Sequence, residues 1–410
     1  MKYVILLGDG MADHPIEELG GKTPLEYART PNMDRLSRLG TTGLVETIPA
    51  GFPPGSDVAN LTVLGYDPKI YYTGRGPLEA ASMGIKLEPG DVAFRCNLVN
   101  LGLDGKERMV DFTAGHITSE EARSVITDLN EALGSEIIRF YPGVGYRHLC
   151  VWKGGPASVK TTPPHDITGQ EIAGYLPAGD GSAAVWDLMM KSRGVLKEHP
   201  VNRGRAGQGK KTANSIWLWG QGGAPTFDTL TVKYGIQGAM ISAVDLLNGI
   251  AVCAGMEIIR VPGVTGYIDT NYAGKAMGAL SALKEKDLAF VHVEAPDEMG
   301  HAGNIEGKVK AIEDFDEKVV GTVLGGIDAH RDFRILVLSD HPTPVNHRTH
   351  VAEPSPFVVY SSVKEENLQN CPTFGETCAK RGGVMVAPGH ALMDVFIREW
   401  RGFVDSKRRR

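Results

Sequence analysis

The sequence predicts an α/β protein with a mostly parallel sheet, helices on both faces, and a smaller inserted α+β domain. Three observations carry that prediction. Short apolar runs end repeatedly on an acidic residue, helix-period segments alternate with them, and residues 86–199 lack the strand-then-acid pattern.

The first run, Val4-Ile5-Leu6-Leu7, leads into Gly8-Asp9-Gly10. Leu288 to Val293 ends at Glu294-Ala295-Pro296-Asp297, and Ile335 to Leu338 ends at Ser339-Asp340-His341. Wholly apolar runs suit strands covered on both faces, and ligands bind beyond the carboxyl ends of such strands. Val309, Ile312, Phe315, Val319, Val323 and Ile327 recur every three or four residues, so one helix face packs on the sheet. Pro31 to Leu39, Asp57 to Leu64 and Ala391 to Trp400 also read as helices. The metal-type core is expected over 1–85 and 200–410. The insert, 86–199, holds the charged helix Ser119 to Leu133, a turn at Tyr141 to Gly145 and the segment Thr161 to Ile167. No repeat of 20–50 residues is visible. Tyr234 to Met256 is largely apolar, but Asp245 and its glycines make it a buried helix rather than a membrane span.

Length and composition bound the function. A chain of 410 residues exceeds what one core usually serves. Hydrophobic residues at 42% and charged residues at 22% exclude a disordered or fibrous chain. A net charge of −6 gives no electrostatic footprint for nucleic acid or an anionic membrane, and the basic end Lys407-Arg408-Arg409-Arg410 reads as a solvated tail. The five scattered cysteines form no disulfide framework or zinc-thiolate motif, which suits a reducing cytoplasm. The amino-terminal apolar run is too short for a secretory signal. A homo-oligomer is left open.

Chemistry concentrates at the strand ends. Asp297 and His301 stand four apart, a spacing that lets both side chains meet one metal when the chain turns helical. Asp9, Asp297, His301, Asp340, His341 and His350 together make an oxygen- and nitrogen-rich set without thiolates. That donor set favours Mn²⁺, Zn²⁺ or Mg²⁺, its histidines argue against magnesium, and it is large enough for two ions. Ser56, after Pro53-Pro54-Gly55, opens the helix Asp57 to Leu64. It reads as a nucleophile at the positive end of a helix dipole, activated by a metal, and the alternative reading as a simple helix cap is compatible with that. A nucleotide-binding loop is the competing reading. Gly204 to Lys211 nearly spells one, but Lys211 stands where a hydroxyl must hold Mg²⁺ and no apolar strand leads in, so a basic surface loop is expected.

The chain resembles the archaeal-type cofactor-independent (2,3-bisphosphoglycerate-independent) phosphoglycerate mutases of the alkaline phosphatase superfamily. The resemblance rests on Leu7 to Asp13, Leu19 to Leu25, Thr30 to Asp34, Gly55-Ser56-Asp57, Gly65 to Pro68, Gly74 to Ala80, Phe94 to Asn97, Pro163 to Asp166, Lys233-Tyr234-Gly235 and Asp340-His341. It implies an alkaline-phosphatase-like fold and two divalent ions, manganese preferred, with zinc, cobalt or magnesium as alternatives. One ion would take Asp9, Ser56, Asp340 and His341; the other Asp297, His301 and His350, which precedes Pro354-Ser355-Pro356. His347 misses that register and is expected at the second shell or surface. Lys233 would lie near the nucleophile and the phosphoryl group.

The reaction implied interconverts 3-phosphoglycerate and 2-phosphoglycerate in the cytoplasm through a phosphoserine, without bisphosphoglycerate or nucleotide. The insert would close over the sheet edge to keep water out. The phosphorylated acid would be held by groups drawn from Arg75 on the core side and Arg95, Arg147, His148 and His165 in the insert, with Asp166 moving a hydroxyl proton. A homoserine-kinase-like phosphotransferase or a phosphomonoesterase would use the same site with another acceptor.

Overall fold

The computed structural model describes residues 1–102, 105–330 and 332–408. Arg409 and Arg410 of the basic end lie outside the described residues, while Lys407 and Arg408 close the last helix. Thirteen strands are described: β1 (Lys2–Gly8), β2 (Thr41–Val45), β3 (Asp91–Gly102), β4 (Arg108–Asp111), β5 (Ile138–Tyr141), β6 (Arg147–Lys153), β7 (Ser215–Gly223), β8 (Gly238–Ile241), β9 (Glu257–Ile258), β10 (Leu288–Val293), β11 (Phe333–Leu338), β12 (Ser355–Ser361) and β13 (Met385–Val386).

The chain divides into two compact units, Met1–Tyr72 with Phe227–Arg410, and Thr73–Thr226. The second unit is thus longer at both ends than the 86–199 read from the sequence. Two elements account for this: β7 pairs along most of β3, and the helix Arg75–Ser82 packs on those strands through Ala80. Arg75 therefore belongs to the insert and not to the core side.

The first unit holds an eight-stranded sheet in the order β13-β2-β12-β11-β1-β10-β8-β9. It is parallel except where β12 runs antiparallel to β11 and β2. The three apolar runs are the central neighbours β10, β1 and β11, buried throughout apart from Lys2. Their parallel register brings Asp9, Glu294–Asp297 and Asp340 to one edge. Val4 and Leu6 face a core completed by the helices Pro31–Leu39 and Tyr272–Ala282 and the helical stretch from Ile305 to Ile327. Tyr3 faces the other way, its ring 5.5 Å from Phe396 of the carboxyl-terminal helices.

The stretch from Ile305 to Ile327 widens to π geometry over Asp316–Val320. There Asp316 accepts from the backbone N–H groups of Asn32 (3.2 Å) and Met33 (2.7 Å), capping the helix at Pro31. The window Tyr234 to Met256 is not one helix: it contains β8 and the helix Asp245–Cys253. No helix among the described residues is long and apolar enough to cross a membrane.

In the second unit β3 pairs antiparallel with β4, β6 and β7, and β5 pairs with β6. One sheet face packs on the helices Ser119–Leu133 and Ser182–Lys197; Ala93, Leu149 and Val151 line the other. The near-nucleotide motif is the helix Pro200–Gly207 with its following turn, not a loop. Arg205 within it is 3% exposed and donates to Glu121 and to the carbonyls of Ala114, Gly115 and Lys211, so it has no phosphate-binding role.

Candidate active site

Each strand end supplies one acid. Asp9 follows β1, Asp340 follows β11, and Asp297 lies in the helix Ala295–Ala302 that starts beyond β10. That helix carries His301 one turn after Asp297, as the spacing predicted. Asp297, His301 and His350 form one group and Asp9, Asp340 and His341 another, with the potential ligand atoms of each group within 4.8 Å of one another. The rings of His341 and His350 are 4.2 Å apart, so the groups adjoin.

Ser56 opens the helix Ser56–Val63, but as its first turn residue; Gly55 is the cap, and no side chain caps the helix. The cap reading of Ser56 is thereby replaced. Its hydroxyl is free of that duty and donates to Asp9 Oδ2 at 3.3 Å, with His341 Nε2 at 3.2 Å. Ser56 is half-buried, so a substrate can reach it.

The electrostatics suit cations. Burial, followed by the carboxylates of Asp340, Asp297 and Glu294, raises Asp9 well above the ordinary carboxylate range. Asp9 Oδ1 is buried without a hydrogen-bond partner; His341 Nε2 is 3.5 Å away. A buried acceptor left open among repelling acids fits a bound divalent ion, which would satisfy the oxygen and offset the charge. Burial alone would raise Asp297, but hydrogen bonds to His301 and His350 win and hold it well below its usual value. Burial opposes the charge on His301, yet Asp297 dominates and raises it to about 9. His301 Nδ1 faces the Arg348 carbonyl at 3.0 Å, which leaves Nε2 turned towards His350 Nε2 at 2.9 Å and Asp297 Oδ2 at 3.1 Å. Two imidazole nitrogens and a carboxylate converging in this way could hold a metal ion, with a backbone acceptor orienting His301 from behind.

Several supporting groups escaped sequence reading. Asn60, one helical turn after Ser56, donates to Asp340 Oδ2 (3.0 Å) and the Ser56 carbonyl (2.9 Å), tying the two residues together. Thr343 donates to Asp297 and lies 3.2 Å from His341 Nδ1, joining the two groups. His292, fully buried inside β10, places Nε2 2.8 Å from Asp9 Oδ2. The signal for His292 was a polar residue inside an apolar strand, which must find a partner when buried. His347 is exposed, with its ring 5.0 Å from that of His14.

Lys233, expected near the nucleophile, has partners of its own. Its ammonium donates to the Gly65 carbonyl and lies 4.9 Å from the Tyr66 ring centre. Gly65 follows the carboxyl end of the helix that Ser56 begins. Burial there lowers the Lys233 pKa.

The substrate candidates sit in the second unit. Glu79 accepts from Arg75 Nε at 3.2 Å and from Arg95, and both guanidinium groups lie over the Trp219 ring, at 5.6 and 4.8 Å. Burial lowers Arg95 to about 10, and its Nε is buried without a partner. Arg147 is exposed over Tyr146. His148 pairs across the sheet with Cys96, so it faces the opposite side of β3 from Arg95. Burial and two nearby arginines push it down to about 3, and Nδ1 accepts from Gly143 N–H. His148 is thus a buried neutral group. His165 packs its ring 5.3 Å from Trp219, and Asp166 stands exposed with its carboxylate 3.6 Å from His165.

A family model described as 2,3-bisphosphoglycerate-independent phosphoglycerate mutase matches residues 37–202. A Geobacter sulfurreducens protein named probable 2,3-bisphosphoglycerate-independent phosphoglycerate mutase is 52% identical over 398 residues, 97% of this chain and 100% of the relative. A Methanosarcina barkeri relative of the same name, without the qualifier, is 52% identical over 400 residues, with 97% and 100% covered. Among solved structures, a Pyrococcus horikoshii protein matches with a TM-score of 0.82 at 29% identity, covering 97% of each chain. The cofactor-independent phosphoglycerate mutase of Thermoplasma acidophilum matches with a TM-score of 0.65 at 26% identity, covering 97% of this chain and 99% of that one.

Proposed function

We propose a function that proceeds from one premise: this chain belongs to the 2,3-bisphosphoglycerate-independent phosphoglycerate mutase family. The protein interconverts 3-phosphoglycerate and 2-phosphoglycerate by two phosphoryl transfers through Ser56, with no bisphosphoglycerate and no nucleotide. The observation that carries this reading is the Ser56 hydroxyl, within hydrogen-bonding range of Asp9 and His341 at the edge of two adjoining ligand groups.

Asp9, Ser56, Asp340 and His341 would hold one divalent cation, and Asp297, His301 and His350 a second; the nitrogen-rich second set favours manganese over magnesium. Bound there, the cations supply charge neutralisation for the transferring phosphoryl group and lower the pKa of a nearby hydroxyl. The chain does the rest. Asn60 and the helix hold Ser56 Oγ for in-line attack on phosphorus, while its proton lies on the Asp9 side. The Oγ–P bond forms as the bond between phosphorus and the glycerate oxygen breaks, and that oxygen takes up a proton. In the second transfer the other glycerate hydroxyl attacks the phosphoserine: its O–P bond forms as the Oγ–P bond breaks, its proton passes to Asp166, and Ser56 Oγ regains a proton from the Asp9 side. We assign carboxylate binding to Arg75, Arg95 and Arg147, with Asp166 as the proton carrier for glycerate. Five unpaired cysteines support the cytoplasm as the compartment.

The test is an assay with 3-phosphoglycerate and Mn²⁺, coupled to enolase. Formation of 2-phosphoglycerate by the wild type and its loss in Ser56→Ala support the reading. Release of inorganic phosphate alone makes the protein a phosphatase, and product that requires ATP and homoserine makes it a kinase.

A further inference from the structure

His292 is an expensive residue to place where it is. It sits within β10, opposite Leu7 of β1, at 0% exposure among apolar neighbours. A neutral imidazole has one donor and one acceptor, and burying either unpaired costs about 1–3 kcal/mol. Both nitrogens are engaged here. Nδ1 lies 3.4 Å from Ser242 Oγ, and Nε2 lies 2.8 Å from Asp9 Oδ2. The ionised Asp9 that a cation requires can only accept from the ring, so in that state the proton is on Nε2 and Nδ1 is the acceptor for the serine. The backbone is anchored as well: the buried Lys275 ammonium donates to the His292 carbonyl at 2.8 Å.

The consequence for Asp9 lies in its two oxygens. Oδ2 receives the His292 ring and the Ser56 hydroxyl, while Oδ1 is buried with no hydrogen-bond partner. We infer that His292 is a positioning residue for the cation held by Asp9, Asp340 and His341: its Nε2–H pins Asp9 Oδ2 and thereby presents Oδ1 to the metal. This rests on the two-cation reading above and adds to it a named residue from outside the ligand set. The same pin holds the carboxylate in a fixed orientation beside Ser56. Groups in this relation to a ligand typically change metal affinity by about 10–100-fold when removed.

The substitutions that test this differ in reach. In His292→Gln the amide nitrogen occupies nearly the place of ring Nε2, so the donor to Asp9 survives. In His292→Asn the shorter amide overlaps the Nδ1 side and cannot reach Asp9. His292→Met fills the volume with no donor. Each variant is stripped with chelator, its fold checked by circular dichroism, and Mn²⁺ binding followed by titration calorimetry and electron paramagnetic resonance. The wild type is expected to bind two ions. In the Asn and Met variants one of the two sites should weaken by about 10–100-fold, the other should hold, and the Gln variant should stay within about threefold of wild type. Unchanged affinity in whichever donorless variant is folded overturns the inference, as does an equal loss in Gln, which would assign the effect to packing. A wild type that binds no second ion overturns the two-cation reading instead, and is distinguishable because it needs no variant.

Discussion

Gly10 gives the sharpest structural lever on the site. It follows Asp9 at a φ of +58°, and its N–H donates to Asp340 Oδ1 at 3.1 Å. A Cβ built there would stand 2.5 Å from Asp297 Oδ1, 2.5 Å from Thr343 Oγ1 and 2.8 Å from Asp297 Cα. Ordinary carbon contacts are about 3.5–4.0 Å, so Gly10→Ala must part these groups by roughly 1 Å. Because one contact is with backbone, rotating a side chain cannot relieve it. The left-handed conformation adds about 1–2 kcal/mol for alanine, and overpacking about 1–3 kcal/mol. The fold should therefore survive with its melting temperature lowered by several degrees, while all three acids of the site are displaced. A misplacement of about 1 Å at reacting groups lowers turnover by about a hundredfold. The enolase-coupled assay at saturating Mn²⁺, run beside a thermal melt, reads both effects. Turnover within about threefold of wild type would refute the argument that Gly10 is required for close packing of the two ligand groups.

Further expectations concern the nucleophile, the metals and the scaffold. Ser56→Ala should retain Mn²⁺ binding at the Asp297 group and lose turnover, measured by calorimetry and the coupled assay on the same preparation. Saturating Mn²⁺ should stabilise the chelated protein by about 2.7 kcal/mol per site at a hundredfold excess over Kd, read as a raised melting temperature. His301, raised to about 9, must release a proton before Nε2 can bind an ion. Mn²⁺ affinity at that group should then climb with pH up to about 9 and level off beyond it; a flat affinity from pH 6.5 to 9 would contradict the assignment. The sign for the metal-free protein is opposite: the charged His301 contributes stability that is full below its ordinary 6.5 and is lost as pH rises through about 9. Lys308, fully buried, donates to the Ala12 carbonyl (3.2 Å), Asp13 (2.7 Å) and the Thr343 carbonyl (2.8 Å), tying the loops after β1 and β11 together. Lys308→Met leaves Asp13 buried without its cation and should lower unfolding free energy by about 3–5 kcal/mol in denaturant titration, with much of the loss recovered in Lys308→Met with Asp13→Asn.

The convergence of the three acids was legible because each follows an apolar strand, and parallel strands bring their carboxyl ends to one edge. Asp9, Asp297 and Asp340 needed no other signal. His301 followed from its spacing to Asp297. The residues that brace these acids were not legible, since their identity depends on which strands are neighbours. His292 points at Asp9 only because β10 lies beside β1, and Asn60 reaches Asp340 across 280 positions of sequence. The insert boundaries escaped for the same reason: the antiparallel pairing of β7 with β3 is nonlocal, and nothing near Ser215 announces it. Lys233 was placed by resemblance rather than by contacts, and its actual partners, the Gly65 carbonyl and the Tyr66 ring, come from a turn that sequence spacing does not locate.

Anomalous X-ray diffraction from crystals soaked in Mn²⁺ tests the central claim most directly. Two peaks are expected, one within reach of Asp9, Asp340, His341 and Ser56 Oγ, the other among Asp297, His301 and His350. A single peak, or a pair away from Ser56, would contradict the account.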